Sequence, residues 1–309
     1  MRGLELSRAY FEEYGRPALK EAFGGDFAYL ACGVCGQGSE CFGFDDETSR
    51  DHDFDPGFFI WLDRAHYRDM EFRVSRVYDR LPRTFEGVGL IGMSAYENAR
   101  HGVRETESFF AGFTGLDGVV PESPMQWMAI PSFRLATALN GEIFYDGPGT
   151  VTRFRAALSA MPQDVKYKKL AAALVFAAQS GQYNYARCLK HGERAAAALA
   201  LAEFARYALQ AVFLLNDSFA PFYKWMFRAA KKLPRLSDTA RKIQTLLTAG
   251  PDGDPAALIE EISSDIASEL NRQGLSELST PFLEPHAYEL QNRIADPGLR
   301  AMHIMDGEI

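Results

Sequence analysis

The feature that most restricts the fold is a change of pattern at Gly147-Pro148-Gly149. Before it, short apolar stretches with strand character alternate with helical ones. After it, alanine- and leucine-rich segments recur with helical periodicity. Two patterns in one chain call for two kinds of layer. The reading is an α+β protein. A small mixed-sheet domain covers residues 1–148, and an α-helical bundle covers residues 149–309. The chain of 309 residues has room for both.

In the first part, Leu4, Tyr10, Phe11, Tyr14, Leu19 and Phe23 recur at roughly helical spacing. Pro17 is expected to divide that stretch into two helices, and Gly24-Gly25 to stop the second. Residues 27–34 read as a strand entering a glycine loop. Residues 57–62 form a second apolar strand, and 63–81 a helix ended by Pro82. Residues 87–93, 102–105 and 141–146 are further strand candidates. In the second part, residues 166–179, 185–215 and 256–270 read as helices, with Asn184 as a cap. The Gly/Pro stretch 249–253 is a break between two of them.

With 47% apolar and 13% aromatic residues, a globular core is within reach. There is no apolar run of about 18 residues, so no membrane span is expected. The first residues lack the apolar segment of a secretory signal, which makes a cytoplasmic location the expectation. Of the four cysteines, Cys32 and Cys35 have a Cys-X-X-Cys spacing. Residues three apart on a strand point to opposite faces, so these are read as core thiols and not as zinc ligands. Residues 1–150 hold 14 Lys/Arg against 24 Asp/Glu, a balance of −10, while residues 151–309 hold 19 against 17, a balance of +2. Net acidity argues against a grip on extended nucleic acid, which is led by basic surfaces.

The chemistry concentrates between Gly36 and Phe54. Gly36-Gln37-Gly38-Ser39 is a turn whose bare backbone N–H groups can approach a phosphate chain. Asp51-His52-Asp53 follows. Alternation along a strand puts the two carboxylates on one face, side by side. Two such charges call for a cation between them, and Mg²⁺ takes carboxylate oxygens while keeping sites for phosphate and water. One segment thus offers a phosphate cradle and a metal clamp. His52, lying between the acids, faces away from them.

This arrangement resembles the nucleotidyltransferase superfamily typified by DNA polymerase beta and kanamycin nucleotidyltransferase. The superfamily motif pairs Gly-Gly or Gly-Ser with a later Asp-X-Asp. Gly38 and Ser39 fill the first half, and Asp51, Asp53 and Phe54 the second. Gln37 and His52 depart from its hydrophobic positions. Residues 38–53 and 215–225 also look like an uncharacterised bacterial family of that superfamily (DUF 4037-like), a resemblance extending over most of the chain. It implies a nucleotidyltransferase using ATP or another nucleoside triphosphate with Mg²⁺ or Mn²⁺. A hydroxyl of an unidentified acceptor would attack, releasing pyrophosphate. Asp51 and Asp53 would hold the metal, and a third carboxylate, Glu105 or Glu107 with Glu105 preferred, would complete the site. Gly38 and Ser39 would cradle phosphates, and Lys224, in Phe222-Tyr223-Lys224-Trp225, would contact the triphosphate. Lys168 and Arg187 are the further phosphate candidates. The rivals are a nucleotide-sensing binding module and a toxin-type nucleotidyltransferase acting on RNA or protein.

Overall fold

In the computed structural model, which describes residues 1–48, 54–90, 101–248 and 253–307, the chain divides into two units. The first holds Met1–Pro121 and Thr137–Ala160, the second Glu122–Ala136 and Met161–Ile309. The class is α+β: many helices with a small mixed sheet.

Helix α1 (Gly3–Tyr10) runs through a π-helical stretch (Phe11–Gly15) into α2 (Arg16–Phe23). Pro17 therefore does not break the helix. It sits in the first turn of α2, and the Arg16 N–H bonds back to the Phe11 carbonyl, five residues earlier. The ladder changes register just before the residue that lacks an N–H, so the proline is tolerated. A 3-10 stretch (Gly24–Tyr29) leads into β1 (Leu30–Val34), which is shorter than the sequence suggests. Then come β2 (Phe59–Leu62), α3 (Arg64–Tyr78), the small hairpin of β3 (Thr84–Phe85) and β4 (Val88–Gly89), β5 (Gly102–Glu105) and α4 (Thr106–Thr114). Asp63 caps α3 by accepting from the His66 N–H at 3.1 Å. Two helices, α5 (Pro124–Met128) and α6 (Ser132–Leu139), precede β6 (Glu142–Asp146) and α7 (Thr150–Ser159).

The sheet order is β5-β2-β1-β6. β1 is antiparallel to β2 and β6, and β5 is parallel to β2. β1 and β2 are buried along their whole length, hence their unbroken apolar text. One face carries Leu30, Cys32, Ile60 and Leu62 into a core with Leu6, Tyr10, Phe11, Leu19, Met70 and Val74. On the other, Phe59 and Trp61 meet Phe109 of α4, and Phe110 meets Phe154 of α7.

The second unit is helical: α8 (Gln163–Ala177), α9 (Ala186–Lys190), α10 (Arg194–Leu214), α11 (Tyr223–Ala230), α12 (Ser237–Thr248), α13 (Pro255–Arg272), α14 (Leu283–Arg293) and α15 (Pro297–Ala301). A π-helical stretch (Ala178–Tyr185) joins α8 to α9, so Asn184 lies inside a helix and caps none. The interruption comes later, at His191-Gly192-Glu193. α10 is long and apolar enough to cross a membrane. Its Phe204, Ala208, Ala211, Val212 and Leu214 are instead core residues in one cluster with Leu170, Leu174, Ile262, Ile266 and Leu290. The Gly/Pro stretch at 249–252 lies outside the described residues.

Candidate functional site

The antiparallel pairing of β1 with β2 puts the end of β1 beside the start of β2, since Gly33 pairs with Phe59. The parallel pairing puts the start of β5 there too, through Phe59 with Gly102. Val34 pairs with Glu142 at the start of β6. Four strands thus bring Gly36–Ser39, Asp55, His101 and Asn140 to one end of the sheet. The connection from β1 to β2, which carries Asp51 and Asp53, leaves and returns at that end. Asp51, His52 and Asp53 themselves lie outside the described residues.

The glycine turn is held by its neighbours. Asn140 Oδ1 accepts the Gly36 N–H at 3.0 Å, and Asn140 Nδ2 donates to the Gly36 carbonyl at 2.6 Å. The Gly141 N–H donates to the Cys41 carbonyl at 2.7 Å. Two of these glycines are required by the backbone. Gly36 has φ +149°, and Gly141 has φ +69° with a side chain there meeting the Val34 carbonyl at 2.0 Å. At Gly38 a Cβ would meet the Glu40 carboxylate at 1.8 Å, so that acid lies over the cradle. Ser39 stands at the N-cap of a 3-10 turn (Glu40–Phe42), yet its hydroxyl makes no cap hydrogen bond.

Behind the turn lies a residue that sequence reading passes over. Arg155, on α7, donates through Nη2 to the Leu139 carbonyl at the carboxyl end of α6. Its Nη1 is buried and, among the described residues, has no acceptor. Burial pulls its pKa down, while the Cys35 and Cys41 thiols act the other way. Burial pushes the Cys35 thiol up to about 12, and Arg155 opposes that rise. Cys35 Sγ donates to the Thr137 carbonyl at 3.6 Å, and Cys32 is buried in β1. Among the described residues no three His, Cys, Asp or Glu side chains group as metal ligands would.

On the β2 side, Asp55 Oδ1 accepts the Gly57 N–H at 2.6 Å, and its Oδ2 lies 3.5 Å from His101 Nε2. His101 stacks on Tyr78, whose hydroxyl accepts the Phe58 N–H at 3.1 Å. Burial pushes Tyr78 well above the usual phenol range and Tyr10 up to about 12. This network fixes the point where the acid-bearing connection enters β2.

Glu105 is not at this end. It pairs with Leu62, as does Leu30 at the start of β1, so it lies at the opposite end of the sheet. There Glu105 Oε1 accepts from Arg64 Nε at 2.9 Å and from Ser108 Oγ at 3.0 Å. The Arg64 hydrogen bond holds its pKa below the usual carboxylate range. Glu107 accepts the Arg64 N–H at 2.9 Å, at the start of α3. Both acids serve helix starts, where the dipole favours them, and neither meets Gly38-Ser39.

In the second unit, Lys168 is fully buried on α8, its Nζ donating to Gln291 Oε1 at 3.0 Å and the His303 carbonyl at 2.5 Å. An ammonium so enclosed anchors the 303–307 segment and is closed to a nucleotide. Arg187 lies 5.4 Å over the exposed Tyr183 ring. Lys224, exposed in the first turn of α11, lies 5.0 Å over Trp225. These three cations have separate surroundings.

Residues 127–226 match the family model described as a domain of unknown function (DUF4037). The matched stretch contains the 215–225 segment but neither Gly38-Ser39 nor Asp51 and Asp53. No curated protein and no solved structure matches the chain.

Proposed function

We propose that the protein is a nucleotidyltransferase whose phosphate-binding turn is Gly36–Ser39. One observation carries this reading. The sheet topology puts a pinned glycine turn, with a Ser39 hydroxyl that caps nothing, at the mouth of the connection bearing Asp51 and Asp53. The donor set suits a phosphoryl group: backbone N–H groups, a hydroxyl and a nearby guanidinium. Asn140 fixes the turn before a ligand arrives, so little ordering entropy remains to be spent on binding. Asp51 and Asp53 supply the donor chemistry a divalent cation requires, and Mg²⁺ or Mn²⁺ held there would neutralise phosphate charge. Glu40 must leave Gly38 for a phosphate to enter, since two anions repel.

The nucleotide-sensing module is the second reading. The observation that favours it is the position of Glu105, the expected third carboxylate, which lies at the opposite end of the sheet from Gly38-Ser39.

The test is incubation of the purified chain with each labelled nucleoside triphosphate, a divalent metal and cell extract. Label should move to a macromolecule or small acceptor, and Asp51→Asn with Asp53→Asn should abolish the transfer while the fold persists. Transfer by the doubly substituted chain would end the reading. Nucleotide binding with no transfer to any fraction would favour the sensor.

A further inference from the structure

We propose that Arg155 is an anion ligand of the Gly36–Ser39 turn and takes the terminal phosphates of a polyphosphate chain. This rests on the nucleotide reading of that site.

The first argument is an unfulfilled donor. Arg155 Nη1 is buried, and among the described residues no acceptor meets it. A buried donor left unmatched is destabilising, and more so when charged. Other arginines of this unit are matched: Arg8 with Glu142, Arg16 with Glu12, Arg64 with Glu105. Among the described residues the groups acting on Arg155 are the thiols of Cys35 and Cys41, and no carboxylate is among them. Such a guanidinium is kept where an anion comes to it.

The second argument is place. Cys35 and Cys41 flank the turn on either side, and both interact with the guanidinium. Nη2 is tethered to the Leu139 carbonyl, next to the Asn140 that pins Gly36. The fork is therefore oriented, with one arm anchored and one buried arm that has no partner among the described residues. Arginine matches phosphate oxygens through such paired donors, where a lysine would offer a point charge. The Ser39 hydroxyl and the glycine backbone of the turn would supply further donors to the same anion.

Glu40 gives an independent handle. Its carboxylate lies over Gly38, in the place a phosphate oxygen would take. It acts as a resident competitor, so neutralising it should strengthen anion binding.

The experiment is calorimetric titration of the full chain with inorganic tripolyphosphate and, separately, with adenosine, alongside thermal unfolding. The wild-type chain should bind tripolyphosphate. Arg155→Met should weaken that binding at least tenfold, leave adenosine unaffected, and keep or raise the Tm, because an unmatched buried charge is removed. Glu40→Gln should bind tripolyphosphate more tightly than wild type. The proposal is overturned if Arg155→Met binds tripolyphosphate as wild type does. It is equally overturned if the Tm falls and both ligands are lost together, which would make Arg155 a structural cap of α6. Failure of wild type to bind tripolyphosphate also overturns it. Absence of nucleotidyl transfer with tripolyphosphate binding intact would instead remove the activity and leave the anion site.

Discussion

Replacing Asn140 by alanine separates the turn from the sheet that supports it. The side chain makes two hydrogen bonds to one residue, at 3.0 Å to the Gly36 N–H and 2.6 Å from Asn140 Nδ2 to the Gly36 carbonyl. Each is worth about 0.5–1.5 kcal/mol net, so the pair contributes roughly 1–3 kcal/mol. Asn140 and Gly36 are both half-buried, and water can replace part of the loss. The lower half of that range is therefore expected. A loss of about 1 kcal/mol would let the Gly36 amide exchange its hydrogen about fivefold faster. Hydrogen exchange at Gly36, with the amides of β1 as internal reference, reads this directly. Gly36 should accelerate while the ladder amides of Ala31–Val34 hold their protection. Asn140→Asp keeps the acceptor but turns a second oxygen toward the Gly36 carbonyl. It should match the alanine variant at neutral pH and recover as the carboxyl is protonated. Unchanged exchange at Gly36, or equal acceleration across β1, would refute the idea that Asn140 holds the turn locally.

Two further outcomes follow from the packing and charges. Arg64 holds the Glu105 pKa down, so the stabilisation it brings is present above the ordinary carboxylate range and lost as pH falls through the depressed value. Arg64→Gln should let the Glu105 carboxyl titrate at higher pH by NMR, and an unmoved titration would show that the contact is not populated. In the second unit, a Cβ at Gly181 would stand 2.3 Å from Phe204 Cδ2 in the core. Gly181→Ala should cost about 1–3 kcal/mol by overpacking, read as a lower urea midpoint, and a wild-type midpoint would mean that Phe204 moves aside freely.

Periodicity alone set the element types. An amphipathic stretch must bury its apolar face whatever surrounds it, so α3, α8, α13 and the strands β1, β2, β5 and β6 were legible within a few residues. The misjudged points are those where a local rule met a neighbour. Pro17 was expected to end a helix, but a change of hydrogen-bond register upstream absorbed it. Asn184 looked like a cap because a polar residue before an apolar run usually is one, yet the π-helical stretch carries the backbone straight through it.

The site divides in the same way. Gly36–Ser39 could be found in the sequence, because a turn that needs φ near +149° leaves a glycine as its mark. The choice between Glu105 and Glu107 could not be settled there. Both are acids at a helix start, and strand register decides that they sit at the far end of the sheet. Lys168 reads as a phosphate candidate, and only packing shows it enclosed by Gln291 and His303. Arg155 carries no local signal at all, being one of two arginines on an ordinary helix. By itself the sequence determined which segments are helices and strands, where the glycine turn lies and that carboxylates follow it. Those properties depend on spacing along the chain. The tertiary structure decided which side chains share the turn, because proximity across strands and between helices depends on register and burial, and these belong to the assembled sheet.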